Sequence, residues 1–426
     1  MKAVILAAGE GSRLWPISEN VPKPLVKILG KCFLEYQIIE LARIGIKDII
    51  IVKGKNFNEL FEKFKKEMAD KYGAKITYVV QEQALGTADA FLHVKNIIDE
   101  PFLGLMGDNH YQASDIEKLL DTFKKTKKSV IGGFVVNDPE SYGVILINEK
   151  KQVAEIVEKP KKPLSKLINA AIYIFKPEIF KFIETLRPHD NGETYITDAL
   201  NKVIEKNDLV CEKINNWFDL GKPYQILALT KFFFDNYKKF NDLKKYTEYE
   251  SKVFAAKTAT IGPNVEFYPE NGLIIIEEGS KILGSSVIMG NNYIGPECEI
   301  INSIIRETSV LMGSNTVKNS EVKNSTLGFK TNAPHFNYIG DSYIGENCNF
   351  GAGTKVANCR NDDKTIKMFI EKKGQLTETG LHKLGVFTGN NVKFGINSMI
   401  AQPGILIGSN VKIMPGEKIF RNKVSN

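Results

Sequence analysis

The chain has 426 residues, which is long for one hydrophobic core and predicts two or three domains. A hydrophobic content of 43% with 25% charged residues is ordinary for a folded globular protein and argues against disorder. The formal net charge of +7 could indicate nucleic-acid binding, but the lysines are dispersed and no aromatic motif is interleaved with them. Anionic small-molecule substrates and a solvated surface explain the charge equally well, and we expect no nucleic-acid partner.

The five cysteines are scattered, and no pair has Cys-x-x-Cys spacing. We therefore expect neither a disulfide framework nor a zinc site. No apolar run reaches the roughly 18 residues of a membrane span, so that no membrane partner is expected. The N-terminus enters a predicted strand without the basic, apolar and small-residue zones of a signal peptide. These features predict a cytoplasmic protein.

Up to about residue 220, short β-branched runs alternate with segments of helical periodicity. The predicted strands cover residues 2–6, 48–52, 76–80, 102–106 and 129–135, and the predicted helices include 33–44 and 58–72. Short apolar strands separated by amphipathic helices indicate an α/β domain whose mostly parallel sheet is covered on both faces. Ligands of such sheets bind at the carboxyl ends of the strands.

The first predicted strand ends in the small-residue loop AAGEGSRL at residues 7–14, and PKPL follows at 22–25. Small residues let the backbone approach a ligand closely, and the backbone N–H groups can point at phosphate oxygens. Arg13 and Lys23 add two cations. Leu14 stands where a dinucleotide fingerprint needs its third glycine, and the Gly-Lys-Ser/Thr ending of a P-loop is absent.

The whole string resembles the signature of the sugar-1-phosphate nucleotidylyltransferases, with Ser12 where threonine is commoner. The resemblance implies a Rossmann-like domain that transfers a nucleoside monophosphate from UTP or dTTP to a sugar-1-phosphate and releases pyrophosphate. Because this reaction brings an oxygen anion to an anionic phosphorus, the protein must supply cations and alignment. We expect Mg²⁺, held by few carboxylates and several waters. The implied metal ligands are Asp108 and Asp219, which lies in the sequence WFDLG.

Further residues are assigned by the same resemblance, with Arg13 and Lys23 as catalytic residues. The implied nucleotide-binding residues are Leu6, Ala8, Gly9, Gly11, Ser12, Arg13, Lys23, Gln81, Gly86 and Thr87. The implied sugar-phosphate residues are Asp108, Tyr142, Gly143, Glu158, Lys159, Asn169 and Tyr195. Ala171 stands where glycine is usual, a departure expected to narrow the sugar pocket. Singly, Asp108 could instead cap a helix, Asp219 could close a turn, and Glu158 and Lys159 could be a surface pair.

From residue 261 the sequence repeats with a period of six. Apolar residues six apart form three runs: Ile276, Ile282, Ile288, Ile294 and Ile300; Ile344, Phe350 and Val356; and Ile407, Ile413 and Ile419. Such short repeats indicate a parallel β-helix with a continuous apolar core. The hexads resemble the left-handed β-helix of the sugar acyltransferases, which implies the hand and a homotrimer. Residues 360–384 break the hexads and are predicted to leave the β-helix as a loop.

His335 lies within these repeats, and residues 323–364 resemble the acetyltransferase half of the bifunctional enzymes that make UDP-N-acetylglucosamine. Forming an amide from acetyl-CoA needs an unprotonated amine, for which imidazole is a suitable base. His335 is the implied catalytic base, and Ala352 is implied to lie near acetyl-CoA. The implied sugar-phosphate residues of this acetyl site are Arg306, Lys323, Tyr338, Asn349 and Lys364.

The resulting prediction is a nucleotidyltransferase domain at 1–222, a linking helix at 223–254 and a left-handed β-helix acetyltransferase domain at 255–426. The expected protein is a bifunctional sugar-1-phosphate nucleotidylyltransferase and amino-sugar-1-phosphate acetyltransferase of the archaeal type. Two alternatives stay open at this point. One is a single-activity glucose-1-phosphate thymidylyl- or uridylyltransferase whose β-helix only oligomerises or binds an effector, and the other is a non-catalytic regulatory subunit.

Overall fold

The computed structural model describes residues 1–149, 152–370, 374 and 376–425. The chain divides into two compact units. The first comprises Met1–Glu10, Lys23–Leu25 and Phe33–Asp219, and the second comprises Gly11–Pro22, Val26–Cys32 and Leu220–Asn426. No helix among the described residues is long and apolar enough to cross a membrane.

A nine-stranded sheet forms the centre of the first unit and confirms the predicted α/β fold. Its main path runs Val153–Glu158, Gly143–Ile147, Leu167–Phe175, Phe102–Met106, Ala3–Ala7, Asp48–Lys53 and Lys75–Val80. Leu209–Lys213 pairs with Ser129–Val135, which pairs with Leu167–Phe175. Ala3–Ala7 is parallel to both of its neighbours, whereas Leu167–Phe175 is antiparallel to its partners. All five predicted strands are present, within one residue at each end.

The helices of the first unit are Phe33–Arg43, Asn58–Tyr72, Thr87–Leu92, Ala113–Thr126, Ile179–Ile183 and Ile196–Glu205. Asn109–His110 and Phe218–Asp219 form a separate two-stranded antiparallel ladder. Short 3₁₀ turns among the described residues of both units are Ser12–Leu14, Ile17–Glu19, Lys23–Leu25, Lys95–Ile97, Pro139–Ser141 and Leu243–Lys245. Apolar residues of the strands and helices, among them Val4, Phe91 and Ile131, form a buried core.

Short parallel strands of the second unit stack into three faces, which confirms the parallel β-helix and is consistent with the left-handed form. The first face contains Val253–Ala255, Ile274–Ile276, Asn292–Ile294, Ser309–Leu311, Thr326–Leu327, Tyr343–Ile344, Val386–Thr388 and Ile405–Ile407. The second contains Thr260–Ile261, Lys281–Leu283, Glu299–Ile301, Thr316–Lys318 and Ala333–Pro334, followed by Asn349–Phe350, Lys393–Phe394 and Lys412–Ile413. The third contains Glu266–Tyr268, Val287–Met289, Ile304–Ile305, Glu321–Lys323, Tyr338–Gly340, Lys355–Val356, Met399–Ile400 and Lys418–Ile419.

The predicted hexad residues all lie in one continuous core inside these faces. Each is buried because a coil places one apolar side chain inward per face, and the next coil places its own directly above. The predicted excursion at 360–384 is present and contains an antiparallel hairpin of Lys367–Phe369 and Leu376–Glu378. Residues 371–373 and 375 of this excursion lie outside the described residues.

The predicted linking helix at 223–254 differs from the structure. Two helices, Gln225–Asp235 and Tyr237–Phe240, are followed by the strand Thr247–Glu250, which pairs antiparallel with Val253–Ala255. The helical segment ends because Asn241 is extended and the Asp242 side chain accepts the backbone N–H of Lys244. The domain limits at 222 and 254 stay a prediction. The other two-stranded ladder in this unit is Lys27–Ile28 with Lys31–Cys32.

Candidate functional sites

The first candidate site lies at the carboxyl ends of the parallel strands of the first unit. Ala3–Ala7 and Phe102–Met106 end side by side, and the Gly107 backbone N–H donates to the Leu6 carbonyl oxygen at 2.8 Å. Asp108 follows directly and pairs with the ammonium of buried Lys23. Asp219 lies opposite Asn109 across the small antiparallel ladder. The fold thus brings Lys23 and both predicted metal carboxylates to one edge of the sheet.

These residues fit a magnesium ion by the chemistry of their donor set. Mg²⁺ prefers oxygen ligands and usually keeps several waters, so that one or two carboxylates suffice. No group of three or more His, Cys, Asp or Glu residues that could hold a metal occurs in the described part of the chain. The pair of Asp108 and Asp219 therefore suits an ion shared with substrate phosphates better than an all-protein metal cage.

Gly9 lies in the small-residue loop that follows this edge. A Cβ atom built on Gly9 would meet no atom of the described residues within 4 Å, its chain neighbours aside. The packing of the free protein therefore does not require glycine here. The space suits the close approach of a ligand to the backbone.

Gln81, the predicted base-reading residue, is buried and its side-chain amide is already engaged. Its Nε2 donates to the Gly86 carbonyl oxygen at 3.2 Å and to Asp89 Oδ2 at 2.7 Å. Because both partners are acceptors, the amide nitrogen faces them and the Oε1 atom is the acceptor end. The hydroxyl of Thr87 accepts the backbone N–H of Ile196 at 3.0 Å and joins this segment to the helix Ile196–Glu205.

The predicted sugar-phosphate residues converge on the strands beyond this segment. A Cβ atom on Gly143 would lie 3.1 Å from Glu158 Oε2 and 3.5 Å from the Asn169 Cβ. Lys159 Nζ lies 3.8 Å from Glu158 Oε1 and 5.4 Å from the centre of the Tyr195 ring. Burial raises the pKa of the Glu158 carboxyl above its ordinary value, although Lys159 opposes this shift.

Aromatic rings flank the same group. Tyr142 packs edge-on against Trp217 with ring centres 5.2 Å apart, and the Trp217 Nε1–H donates to the Ala170 carbonyl oxygen at 3.1 Å. His189 lies 4.9 Å from the Tyr195 ring, and its Nε2 is 2.7 Å from Asp198 Oδ2. No sequence context pointed to His189, because its contact depends on the loop between two helices.

Gly11, Ser12 and Arg13 belong to the second unit. Gly11 has a φ of 68°, and its carbonyl oxygen accepts the Leu14 N–H at 2.9 Å and the Ser18 hydroxyl at 2.8 Å. Ser12 and Arg13 are exposed. Their roles as nucleotide ligands stay predictions.

The second candidate site is a corner of the β-helix. His335 and Phe336 are both in the left-handed region, with φ values of 69° and 61°, and both are exposed. The core residues Val317 and Val322 on either side of the preceding turn are five apart, whereas Ala333 and Ile339 are six apart. The spacing across the His335 corner is thus the regular period of six. His335 is held from both sides, because its N–H donates to the Lys318 carbonyl and its carbonyl accepts the Gly353 N–H, each at 2.9 Å.

A polar cluster is packed in the coil next to this corner. Lys323 is buried, and its Nζ is 3.8 Å from Asp341 Oδ2. Asn358 Nδ2 donates to Asp341 Oδ2 at 2.5 Å and to the Tyr338 hydroxyl at 3.1 Å. Burial and Asp341 raise the pKa of the Tyr338 hydroxyl, which stays protonated at neutral pH. Asn358 was not among the predicted residues, because the hexad pattern marks inward apolar positions and says nothing about polar neighbours.

The other predicted residues of the acetyl site are on different elements of the second unit. Arg306 Nη1 is 3.2 Å from Glu321 Oε1, and Glu321 pairs in register with Tyr338. Ala352 occupies the corner one coil above His335, where its carbonyl accepts the Asn397 N–H. Asn349 lies on the second face, and Lys364 is exposed in the excursion. Within the described part of the chain, no hydrogen bond or ion pair joins Asn349 or Lys364 to His335.

Comparison with known proteins identifies the family. The nucleotidyl transferase family model matches residues 2–236. A Sulfurisphaera tokodaii protein named bifunctional sugar-1-phosphate nucleotidylyltransferase/acetyltransferase is 36% identical over 99% of this chain and 98% of that protein. The chain belongs to this bifunctional family.

Two further similarities agree with this membership. The "bifunctional protein GlmU" of Methanocaldococcus jannaschii is 36% identical over 100% of this chain and 96% of its own length. A Bacillus anthracis crystal structure, assigned as a glucose-1-phosphate thymidylyltransferase and solved with sucrose, matches with a TM-score of 0.51 and 30% identity. It covers 55% of this chain and 94% of its own.

Full-length relatives of the bifunctional family confirm the predicted resemblance. They favour the two-activity enzyme over both alternatives, the single-activity transferase and the regulatory subunit. The protein is a sugar-1-phosphate nucleotidyltransferase and acetyltransferase. Individual site residues are not tested by these similarities and stay predictions.

Substituting Gly9 with alanine tests whether Gly9 is needed to bind the nucleotide or to form a structural turn. Because the added methyl group meets no neighbour, Gly9→Ala should keep the free energy of unfolding within about 0.5 kcal/mol of wild type. It should raise the KM for the nucleoside triphosphate at least about tenfold, since the backbone can no longer approach the phosphates. Thermal unfolding and initial rates measure the two effects. An unchanged KM would show that Gly9 does not contact the nucleotide.

Proposed function

We propose that the protein carries out two steps of UDP-N-acetylglucosamine synthesis at two separate sites. One step transfers the acetyl group of acetyl-CoA to the amine of glucosamine-1-phosphate. The other transfers a nucleoside monophosphate from UTP, or dTTP, to the sugar-1-phosphate. Two groups of polar residues with different chemistry support this proposal. The first unit contains the Lys23–Asp108 pair, and the second contains the His335 corner beside Lys323 and Tyr338.

In nucleotidyl transfer, a phosphate oxygen of the sugar-1-phosphate attacks the α-phosphorus of the nucleotide. The new P–O bond forms as the bond to the β-phosphate breaks, and pyrophosphate leaves. Lys23 offsets the charge of the phosphates, and it is already held at the strand edge by Asp108. Leu6, Ala8 and Gly9 provide the backbone cradle.

Asp108 and Asp219 are the residues that would hold Mg²⁺. The bound ion would neutralise phosphate charge and align the attacking and leaving oxygens. In the free protein, the Lys23 ammonium offsets the charge of Asp108. Asp108 would therefore serve both the ion and Lys23 beside the same phosphates.

The base and the sugar are held by different sets of side chains. Uracil and thymine present an N3–H donor, which suits the acceptor end of the Gln81 amide because its nitrogen already donates to Gly86 and Asp89. On the sugar side, Glu158 and Asn169 hold hydroxyl groups and Lys159 holds the phosphate. Tyr142 and Tyr195 border the sugar ring.

In acetyl transfer, the amine nitrogen attacks the thioester carbonyl carbon, the C–N bond forms, the C–S bond breaks and CoA leaves as the thiol. His335 takes the proton that the amine loses and passes it to the departing CoA sulfur. Lys323 and Lys364 bind the phosphate, Tyr338 and Asn349 contact the ring, and Ala352 leaves room for the thioester. An incoming phosphate would compete with Glu321 for Arg306. Galactosamine-1-phosphate presents the same amine and is a second candidate substrate.

We also propose a homotrimer that forms along the β-helix, and a cytoplasmic location, where nucleoside triphosphates and acetyl-CoA are supplied. Exposed apolar side chains continue the corner that carries His335 and Ala352: Phe336 is 68% exposed, Ile396 56% and Met414 64%. An apolar ridge of this kind is typical of a protein interface. A neighbouring copy packed on this ridge would lie beside His335.

Two substitutions should separate the reactions. Asp108→Asn should abolish pyrophosphate release from UTP and sugar phosphate while acetylation continues. His335→Ala should slow CoA-thiol release about 10²- to 10⁴-fold, the usual contribution of a general base, and spare nucleotidyl transfer. Asp121→Asn, at an exposed carboxylate of the first unit, is the control and should change neither.

Wild type should release thiol only when glucosamine- or galactosamine-1-phosphate is present. No sugar-dependent release would refute the acetyltransferase assignment. A folded variant in which either substitution removes both activities would refute the assignment of the reactions to separate sites.

The pH dependence of sugar binding should report Glu158. The Glu158 carboxylate accepts hydrogen bonds from sugar hydroxyls only while it is ionised, and burial raises its pKa. As the pH is lowered, the KM for the sugar-1-phosphate should therefore begin to rise at a higher pH than it would with a glutamate of ordinary pKa. The substrate phosphate also titrates near about pH 6. In Glu158→Gln, only the pH dependence that comes from the substrate phosphate should remain. Glu155 is exposed on the same strand, and Glu155→Gln should match wild type. Identical profiles in all three proteins would remove Glu158 from the sugar site.

The oligomer should depend on the apolar ridge. Light scattering should give three times the 47.7 kDa chain mass for wild type. The double substitution Ile396→Asp with Met414→Asp should reduce it, because buried charges at an interface are costly. Leu164→Asp, at an exposed apolar residue of the first unit, should leave the mass unchanged. A monomeric wild type would contradict the trimer.

A further inference from the structure

A strained bulge lies next to the sugar side of the first unit. The strand Leu167–Phe175 shifts register against Ser129–Val135 between Asn169 and Tyr173. Within the bulge, Ala171 has a φ of 56°, a conformation that L side chains rarely adopt. Such strain persists only when surrounding contacts enforce it.

The bulge sets the direction of the Asn169 side chain. Asn169 Oδ1 accepts the backbone N–H of Ala171 at 2.9 Å, and its Nδ2 donates to the Tyr173 hydroxyl at 2.8 Å. If Ala171 relaxed to a negative φ, its N–H would turn and this side-chain contact would be lost. The conformation of Ala171 and the position of Asn169 are therefore linked.

Tyr111 contacts the backbone of the bulge. Its hydroxyl oxygen lies 2.8 Å from the Ala170 carbonyl oxygen and 2.8 Å from that of Ala171. The side chain is fully buried, and burial raises the pKa of its hydroxyl well above the ordinary value, so that a proton is present to donate. Trp217 Nε1–H is a second donor to the Ala170 carbonyl.

Tyr111 is in turn fixed beside the metal carboxylates. It directly follows Asn109–His110, the strand that pairs with Phe218–Asp219. Its backbone N–H donates at 2.9 Å to Gln37 Oε1 of a buried helix. The segment from Asp108 to Tyr111, fixed by these contacts, thus positions the Tyr111 hydroxyl at the bulge.

We propose that Tyr111 is a positioning residue for sugar-1-phosphate binding: its hydroxyl holds the Ala170–Ala171 carbonyls and keeps Ala171 in the left-handed conformation that orients Asn169. The inference rests on the proposed role of Asn169 at the sugar side. It adds a residue that touches no substrate and acts through the backbone.

One substitution removes the Tyr111 hydroxyl, and a second removes the backbone strain at residue 171. Tyr111→Phe should raise the KM for the sugar-1-phosphate roughly fivefold, the effect of about one net hydrogen bond, and change the KM for the nucleotide by less than about twofold. In the Ala171→Gly background, the same substitution should change the sugar KM by less than about twofold, because glycine adopts this φ unaided. Acetyl transfer should be unchanged in every variant and serves as a readout of the intact second unit.

Tyr78→Phe is the matched control, since it also removes a hydroxyl that donates to a backbone carbonyl, that of Phe61. It should leave the sugar KM unchanged. Equal changes in both KM values for Tyr111→Phe, no change in either, or a full effect that persists with Ala171→Gly would overturn the proposal and leave Tyr111 as an ordinary core residue.

Asn169→Ala distinguishes the two levels of inference. If it raises the sugar KM while Tyr111→Phe does not, the role of Tyr111 is wrong and the sugar site stands. If Asn169→Ala has no effect, the proposed sugar role of Asn169 is wrong, and the inference about Tyr111 falls with it.

Discussion

Parallel strand pairing is the constraint on which both candidate sites depend. In the first unit, the hydrogen-bonded register of Ala3–Ala7 with Phe102–Met106 makes the two strands end at one level, so that Asp108 comes to the edge from which the small-residue loop departs. In the second, each coil pairs with the next, so that His335 and Ala352 occupy one corner. Residues distant in the chain become neighbours because the backbone ladders leave no freedom of register.

Charge balance is a second theme that the two sites share. The predicted phosphate-binding cations Lys23, Arg306 and Lys323 each lie beside a carboxylate, Asp108, Glu321 and Asp341 respectively. A buried ammonium without a partner is costly, and removing one partner of a buried pair typically costs about 3–5 kcal/mol. The carboxylates therefore allow the cations to stay ordered before the substrate arrives, and the phosphates bind to groups that are already in place.

Backbone conformation supplies what side-chain chemistry alone does not. His335 and Phe336 form a corner in the left-handed conformation, and the left-handed Ala171 directs Asn169. Each is enforced from outside, by the neighbouring coils in one case and by Tyr111 and Trp217 in the other. Both units place strained backbone beside a predicted substrate ligand, where pre-organisation reduces the cost of binding.

Local patterns in the sequence determined much of this protein. Alternation of strand and helix predicted the α/β sheet, in which the five predicted strands lie within a residue of their expected ends, and the six-residue period predicted the β-helix core. Motif order predicted the family. These features are short-range, because a strand, a helix or a coil is encoded in consecutive residues. The split of the linking segment into two helices and a strand was missed, because all four residues of the strand Thr247–Glu250 are exposed and no alternation of apolar and polar residues marks it.

Only the tertiary structure decided which polar atoms face each other. The contacts of Asn358 with Asp341 and Tyr338, and of Tyr111 with Ala170 and Ala171, follow no period. They arise where turns and bulges bring separate strands together. A period fixes which side of an element is apolar. The partner of a polar side chain is fixed by long-range packing, which no single stretch of sequence contains.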